Sequence, residues 1–169
     1  MIIGPKLEDR AEQPYVAIRT QVTVKELGTA IPQLIGEVHA WLEKQGTAPA
    51  GAPFIRYRVI DMAAKLDIEL GFPVASALSG DARVSADVLP AGRYASLVYT
   101  GDYAGLVGAN AALLDWGAEK GLVWDSWTAE GGDAFGARFE SYLTDPATEP
   151  DPAKWETEVA IRLADDQPR

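Results

Sequence analysis

Hydrophobic and polar residues alternate along two acidic segments of the chain. The segment 155–163 places apolar side chains on one side of an extended backbone and Glu158 on the other, because side chains alternate across a strand. The segment 66–74 repeats this arrangement around Glu69. The apolar members of the two segments are Val159, Ile161 and Leu163, and Leu66, Ile68, Leu70, Phe72 and Val74. Both segments are therefore predicted to be strands with one buried face and one acidic face.

The rest of the pattern predicts two units of one strand, one helix and two strands. The first unit comprises strands Tyr15–Val24, Phe54–Met62 and Leu66–Ala75 and a helix over about 24–45. The second comprises strands Arg93–Thr100, Phe135–Thr144 and Trp155–Ala164 and a helix over Tyr103–Lys120. The run 83–89 is predicted to pair with the strand that follows it, and 1–14 is interpreted as an extended lead-in without periodicity.

The two units are similar in order and in detail, which indicates an internal duplication. Their helices end alike, in Trp41–Gly46 and Trp116–Gly121, and Glu69 and Glu158 occupy corresponding strands. We therefore predict an α+β fold of tandem β-α-β-β repeats with pseudo-two-fold symmetry. Its sheet is mainly antiparallel and carries two long helices on one face. One domain is predicted over 1–169, with repeats at about 15–75 and 83–164.

Alternation within the strands also predicts which side chains share a face. With the apolar stripes under the helices, Glu69 and Glu158 point away from the helices. The same reasoning assigns to their side Arg58, Tyr99, Glu140 and Tyr142. An acidic outer face of this kind has two interpretations, a solvated surface or the floor of a ligand pocket.

Composition and charge exclude several classes of function. The formal charge of −10 and the absence of a Lys/Arg stripe argue against direct binding of DNA or RNA. The chain contains no cysteine, which removes disulfides, thiolate catalysis and zinc ribbons. No apolar run is long enough for a membrane helix, and the charged start does not resemble a signal peptide. We expect a cytoplasmic protein.

Few motifs of catalysis are present. The sequence has no phosphate-binding loop and no nucleophile elbow, and Gly131-Gly132 is interpreted as a loop tip. His39, the only histidine, lacks partners for a metal site or a triad, so we expect no metal site and no cofactor. Five tryptophans and six tyrosines accompany the acids. Aromatic rings beside a carboxylate suit a flat cationic ligand. Trp41 and Trp116 are interpreted as core residues, whereas Trp124 and Trp127 fit either core or pocket.

The chain resembles the GyrI-like small-molecule-binding family, which also forms the effector-binding domain of AraC-type and MerR-type multidrug regulators. The segments that carry the resemblance extend over nearly the whole chain. They are Pro53–Tyr57, Leu66–Val74, Leu89–Ala95, Tyr99–Tyr103 and Trp155–Val159. The lead-in of 14 residues is too short for DNA-binding helices, so the chain looks like the stand-alone type.

The resemblance implies a pocket between the repeats that captures aromatic, cationic amphipathic compounds. From charge and hydropathy we expect no direct nucleic-acid binding and no membrane association. Glu158 matches the acid of the family's pocket, and Glu69 lies at the pseudo-symmetric place. The other candidate ligand-binding residues come from the strand pattern and the aromatic set, and they are Tyr99, Tyr142, Trp127 and Arg58. Two alternatives stay open. Some stand-alone relatives are hydrolases that open strained rings of DNA-alkylating compounds, for which Glu158, Glu69 and Tyr142 are the catalytic candidates. Other relatives act on a protein partner such as DNA gyrase.

Overall fold

A computed structural model describes residues 1–167 and shows one ten-stranded, antiparallel sheet with two helices. The strands are β1 (Ile2–Arg10), β2 (Gln13–Val22), β3 (Phe54–Ile60), β4 (Leu66–Pro73), β5 (Ser85–Leu89), β6 (Gly92–Thr100), β7 (Ser126–Ala129), β8 (Gly132–Phe135), β9 (Arg138–Tyr142) and β10 (Glu156–Arg162). The helices are α1 (Leu27–Lys44) and α2 (Leu106–Glu119), and short 3-10 turns lie at Val24–Glu26, Tyr103–Gly105 and Pro152–Lys154. None of the helices described is long and apolar enough to cross a membrane.

The predicted α+β class is confirmed. Strands follow one another across the sheet in the order β1-β6-β10-β9-β3-β4-β2-β5, and the β7–β8 hairpin attaches to β3. At the centre, β3 and β9 pair with Ile55 opposite Glu140. Ile55 packs under α1 and Glu140 contacts α2, so both helices lie on one face of the sheet. The domain limits stay a prediction, and residues 168–169 lie outside the described residues.

Strand register confirms the correspondence between Glu69 and Glu158. Arg56 of β3 lies opposite Glu69, and Ser141 of β9 lies opposite Glu158. Phe54 and Phe139 also correspond, because each directly precedes one member of the central pair Ile55–Glu140. The pseudo-two-fold axis therefore passes between β3 and β9.

Three predictions about the strands are wrong. The lead-in 1–14 contains β1, which pairs with β6, and the predicted hairpin of 83–89 with the next strand does not form, since β5 pairs with β2. The predicted strand Phe135–Thr144 is divided at Gly136 between β8 and β9. Edge strands such as β1 carry weak alternation because neither face is fully buried, so their pairing is not evident from periodicity.

Two short connections curl the sheet so that its two edges approach each other, although no strand pairing joins these edges among residues 1–167. In a flat sheet β1 and β2 would lie about 29 Å apart, at about 4.8 Å per strand. Only Ala11 and Glu12 join them, and such a link reaches at most about 11 Å between the ends it connects. Pro90 and Ala91 join β5 to β6 in the same way. The face opposite the helices is therefore curled inward, and we call it the inner face.

Two hydrophobic clusters lie between the sheet and the helices. In the first, sheet residues such as Ile18 and Ile68 pack with Leu34 of α1. In the second, Val159 of β10 packs with Leu113 of α2. Each helix therefore covers the strands of its own repeat.

A third cluster lies on the inner face and forms a row of aromatic rings. The rings follow the order Tyr15–Phe54–Phe139–Tyr94, with neighbouring centroids 5.2, 6.1 and 5.9 Å apart. Edge-to-face contacts at these distances are favourable between aromatic rings. The two faces of the sheet thus offer separate environments for a site.

Candidate functional site

The acids Glu69 and Glu158 both lie on the inner face, as predicted, and each is paired with an arginine. Glu158 accepts a hydrogen bond of 3.1 Å from Arg10 Nη1, and Glu69 accepts one from Arg58 Nε. Tyr15 donates a further hydrogen bond of 2.9 Å to the buried Glu69. Neither carboxylate therefore offers an unpaired charge to a ligand.

Arg58 is the one predicted site residue that the structure joins directly to Glu69. It lies at a bulge in β3, on the same face as Arg56, and its Nη2 reaches Asp87 at 2.6 Å. Arg56, beside it, donates to the Tyr15 hydroxyl at 2.8 Å and to the Gly136 carbonyl at 2.7 Å. These groups form a network that is buried at Tyr15, Arg56 and Glu69 and reaches the surface at Asp87, and its charges compensate one another.

The prediction that Tyr99, Tyr142 and Glu140 share the face of Glu158 is wrong. Ser141 is the cross-strand neighbour of Glu158, so the adjacent Glu140 and Tyr142 point to the helix face. Tyr142 packs in the cluster under α1, and Tyr99 packs in the cluster under α2. Alternation determines which side chains of one strand share a face. The register between strands determines which faces of neighbouring strands lie on the same side of the sheet, and the sequence does not show that register.

Trp124 and Trp127, for which the sequence allows either a core or a pocket position, differ in their surroundings. Trp124 packs against the α2 cluster, so it belongs to the core, whereas Trp127 lies on the β7–β8 hairpin and is 54% exposed. The tip of that hairpin is Glu130-Gly131, and Gly132 begins β8, so the predicted loop tip is observed at Gly131. Trp127 does not line the cavity that lies beside Glu158 on the inner face.

A different carboxylate, Glu140, lies between the helices and the sheet and is only 5% exposed. Its Oε2 accepts a hydrogen bond of 2.8 Å from Asn110 Nδ2 of α2, and its Oε1 accepts one of 3.2 Å from the Tyr57 hydroxyl. Arg138 Nη2 binds the Asn110 side chain at 3.1 Å. Among residues 1–167, Glu140 takes part in no ion pair, unlike Glu69 and Glu158.

Burial determines the titration of this cluster. Loss of water raises the pKa of Glu140, while the hydrogen bonds from Asn110 and Tyr57 and the charge of Arg138 partly oppose that rise. Burial likewise raises the pKa of the Tyr57 and Tyr142 hydroxyls well above the ordinary value. A buried acid with a raised pKa is typical of a functional position, because a merely structural core favours apolar residues there.

Aromatic residues connect this cluster to the surface. The Tyr142 ring meets the ring of Tyr103 with centroids 5.6 Å apart, and Tyr103 in turn stacks on Trp155 at 4.8 Å. Thr157, opposite Tyr142, has a buried hydroxyl without a hydrogen-bond partner in the described part of the chain. Since buried polar atoms are normally satisfied, this hydroxyl would gain a partner from a molecule bound beside it. We call Glu140, Tyr57, Asn110, Tyr142 and Thr157 the seam site.

Sequence reasoning assigned Glu140 to the wrong face and overlooked Tyr57, Asn110 and Arg10. One signal was present, because Glu140 alternates with the apolar Phe139 in a strand that also carries Tyr142. Its importance depends on facing α2, and that fact follows only from the pairing of β9 with β3 and β10. Arg10 was hidden because it lies in the segment interpreted as a lead-in.

Comparison with known proteins supports a small-molecule-binding fold. A family model described as the GyrI-like small molecule binding domain matches residues 4–164. The C-terminal domain of EcmrR covers 95% of this chain and 97% of its own, with 20% identity and a TM-score of 0.77. In the EcmrR–DNA complex the likeness is similar, at 19% identity and a TM-score of 0.77, but the chain spans only 57% of that EcmrR chain.

Two further solved structures have the same fold. SAV2435, bound to tetraphenylphosphonium, is 10% identical with a TM-score of 0.64, over 96% of this chain and 95% of that chain. A protein described as a hydrolase from Listeria innocua is 16% identical with a TM-score of 0.62, over 95% and 91% of the two chains. No curated protein sequence matches the chain. At these identities the structural likenesses show the fold alone.

Proposed function

Because this chain belongs to the GyrI-like small-molecule-binding family, we propose that it binds a hydrophobic organic cation at the seam site. The observation that carries the proposal is the state of Glu140, a buried carboxylate that forms no ion pair within residues 1–167. Glu69 and Glu158, the acids expected from the sequence to serve as counter-charges, are both held by arginines. The counter-charge is therefore assigned to Glu140.

The surroundings of Glu140 suit a cation with aromatic groups. Ring faces attract cations, and a carboxylate shielded from water attracts them more strongly than an exposed one. Tyr57 and Tyr142 supply the rings, and Thr157 supplies a free hydroxyl. The SAV2435 structure contains tetraphenylphosphonium, a cation of this class, in the same fold.

Entry of a ligand requires a local rearrangement, since Glu140 and Tyr142 are both buried. The exposed Tyr103 lies at the start of the segment leading into α2 and touches Tyr142 from outside. Movement of Tyr103 and of the first turn of α2 would open a route to Glu140. We propose this aromatic pair as the entrance to the seam site.

Fluorescence titration with a cationic dye such as rhodamine 6G tests the proposal. Glu140→Gln keeps the size of the side chain but removes its charge, so we expect binding to weaken by about 30-fold, or roughly 2 kcal/mol. Glu158→Gln is the matched comparison on the inner face and should leave dye affinity unchanged. Loss of affinity in Glu158→Gln together with full affinity in Glu140→Gln would refute the assignment.

A second candidate function is hydrolysis, which the raised pKa of Glu140 and its contact with Tyr57 favour. An acid of this kind can donate a proton to a leaving atom and then accept one from water. The predicted catalytic set of Glu158, Glu69 and Tyr142 cannot act as one, because Tyr142 lies on the opposite face of the sheet. Incubation with an excess of a cyclopropane-containing alkylator tests this function. An enzyme yields more than one equivalent of the water adduct, whereas a binding protein yields none.

A further inference from the structure

The inner face contains a cavity that the seam site does not use. Its volume is about 500 Å³, within the range usual for small-molecule pockets, and it lies beside the β1–β2 connection and the loop before β3. The walls include Phe54, Phe139, Tyr94 and Leu89, which also form the inner-face core. Ser141 and Glu158 line it from neighbouring strands. Because Glu140 precedes Ser141 in β9, the sheet itself separates this cavity from the seam site.

The ion pair between Arg10 and Glu158 compensates the two charges that lie inside this cavity. The Arg10 guanidinium donates to Glu158 at 3.1 Å and to Glu8 at 2.7 Å. It also lies over the rings of Tyr94 and Phe139, at 5.3 and 5.8 Å from their centroids. These are the contacts that a ligand cation would seek, namely one carboxylate and two ring faces. Arg10 already occupies that place.

A cation could occupy the place between Glu158 and the two rings only by displacing Arg10. Displacement would separate the partly buried guanidinium of Arg10 from Glu158 and from both rings, leaving it only Glu8, and the cation would gain only contacts equivalent to those lost. An anion would meet Glu158 and the exposed Glu12 at the rim. The remaining lining is mostly aromatic and aliphatic, and the Ser141 hydroxyl can donate or accept one hydrogen bond.

We propose that the inner-face cavity is a second binding site, specific for uncharged, largely aromatic molecules, and that Arg10 is the residue that excludes cations from it. The site is independent of the cation-binding seam site on the other face. The protein thus binds neutral and cationic compounds on opposite sides of one sheet.

The uncharged fluorescent probe N-phenyl-1-naphthylamine tests the second site. Ser141→Phe fills the cavity and should weaken probe binding by at least about 10-fold, since the ring would occupy the space of the ligand. Ala50→Trp, on the exposed loop that also lines the cavity, should do the same without altering a strand. Glu140→Gln, on the opposite face, should leave probe binding unchanged, and tetraphenylphosphonium should not displace the probe. Thermal unfolding of each variant verifies that it is folded.

The role of Arg10 is tested in a background that lacks the seam-site charge. Adding Arg10→Gln to Glu140→Gln frees Glu158 and should strengthen rhodamine 6G binding by about 10-fold, whereas adding Arg10→Lys should not. The proposal is overturned if probe binding survives both filling variants, if Glu140→Gln or tetraphenylphosphonium removes it, or if Arg10→Gln gains no affinity for the dye. Each of these results can occur whether or not the wild-type protein binds cations at Glu140, so the two proposals fail separately.

Discussion

Three glutamates on the central strands show how surroundings decide what a carboxylate can do. Glu69 and Glu158 occupy corresponding places in the two repeats, and each is held by an arginine. Glu140 lies one position along β9 from the partner of Glu158, yet it faces the helices and has only neutral hydrogen-bond donors. The same residue type is therefore structural in two positions and a candidate for ligand binding in the third.

The titration of Glu140 makes stability depend on pH. Burial raises its pKa in the folded protein, so the folded protein holds this proton more tightly than the unfolded chain. The stabilisation that this proton provides is fully present below about pH 4.3, the pKa of glutamate in the unfolded chain. It is lost as pH rises through the pKa of Glu140 in the folded protein. Glu140→Gln cannot ionise.

We therefore expect the free energy of unfolding of Glu140→Gln, relative to that of the wild type, to increase as pH is raised from about 4.3 toward neutrality. Urea unfolding at a series of pH values measures this difference. A difference that stays constant, or that shrinks with rising pH, would show that the pKa of Glu140 is not raised in the folded protein.

Substitution of Glu69 is predicted to destabilise the folded protein. Glu69→Gln removes the buried negative charge that pairs with Arg58, and leaves a neutral carbonyl oxygen as the acceptor for Arg58 and the Tyr15 hydroxyl. We expect a loss of about 3 kcal/mol in the free energy of unfolding, as for other broken buried pairs. Glu158→Gln should cost less, because Glu158 and Arg10 are both partly exposed. Equal effects in chemical denaturation would contradict the network described around Glu69.

How far the sequence predicts the site can be judged residue by residue. Alternation correctly placed Glu69 and Glu158 on the face away from the helices, because each lies in a strand with an unbroken apolar stripe. It misplaced Tyr142 and Glu140, since β9 is short and both its faces are largely buried, so hydrophobicity does not separate them. The contact of Arg10 with Glu158 could not be predicted, because it depends on the curling of the sheet.

At the scale of elements, the long amphipathic segments were predictable and the edges were not. The helix predicted over about 24–45 is observed at Leu27–Lys44, preceded by a 3-10 turn, because its apolar residues recur at helical spacing. In contrast, β1 and the β7–β8 hairpin were missed. Such short or edge strands are stabilised by pairing with distant segments, which local periodicity does not reveal.

The packing of α2 gives a prediction for one glycine. Gly117 is buried where α2 meets the Trp124 ring, and a methyl group at this position would overlap that ring. We expect Gly117→Ala to destabilise the protein by about 2 kcal/mol through overpacking. Gly108→Ala, on the same helix with open space around it, should instead stabilise by up to about 1 kcal/mol.

Thermal or urea unfolding of these two glycine variants distinguishes packing from helix propensity. If propensity alone governed α2, both alanines would stabilise the protein. That result would contradict the described contact between Gly117 and Trp124.

At the scale of the molecule, the duplication explains both candidate sites. The pseudo-two-fold axis runs between β3 and β9, so one face of this central pair carries Phe54 and Phe139 and the other carries Ile55 and Glu140. The sequence predicted the duplication because helix ends and acidic strands repeat. It did not predict the exchange by which β1 pairs with β6 of the second repeat and β5 pairs with β2 of the first. That exchange closes the inner face and forms the cavity.

The proposed function couples ligand binding to protons. A cation placed beside Glu140 favours the charged carboxylate, so binding lowers the raised pKa of Glu140 and releases a proton. Calorimetric titration with tetraphenylphosphonium, repeated between pH 4.5 and 7.5 in buffers of different ionisation enthalpy, measures that release directly. We predict proton release by the wild-type protein within this range and none by Glu140→Gln. Binding without proton release at any pH, or equal release by both proteins, would contradict the assignment of Glu140 as the counter-charge of the ligand.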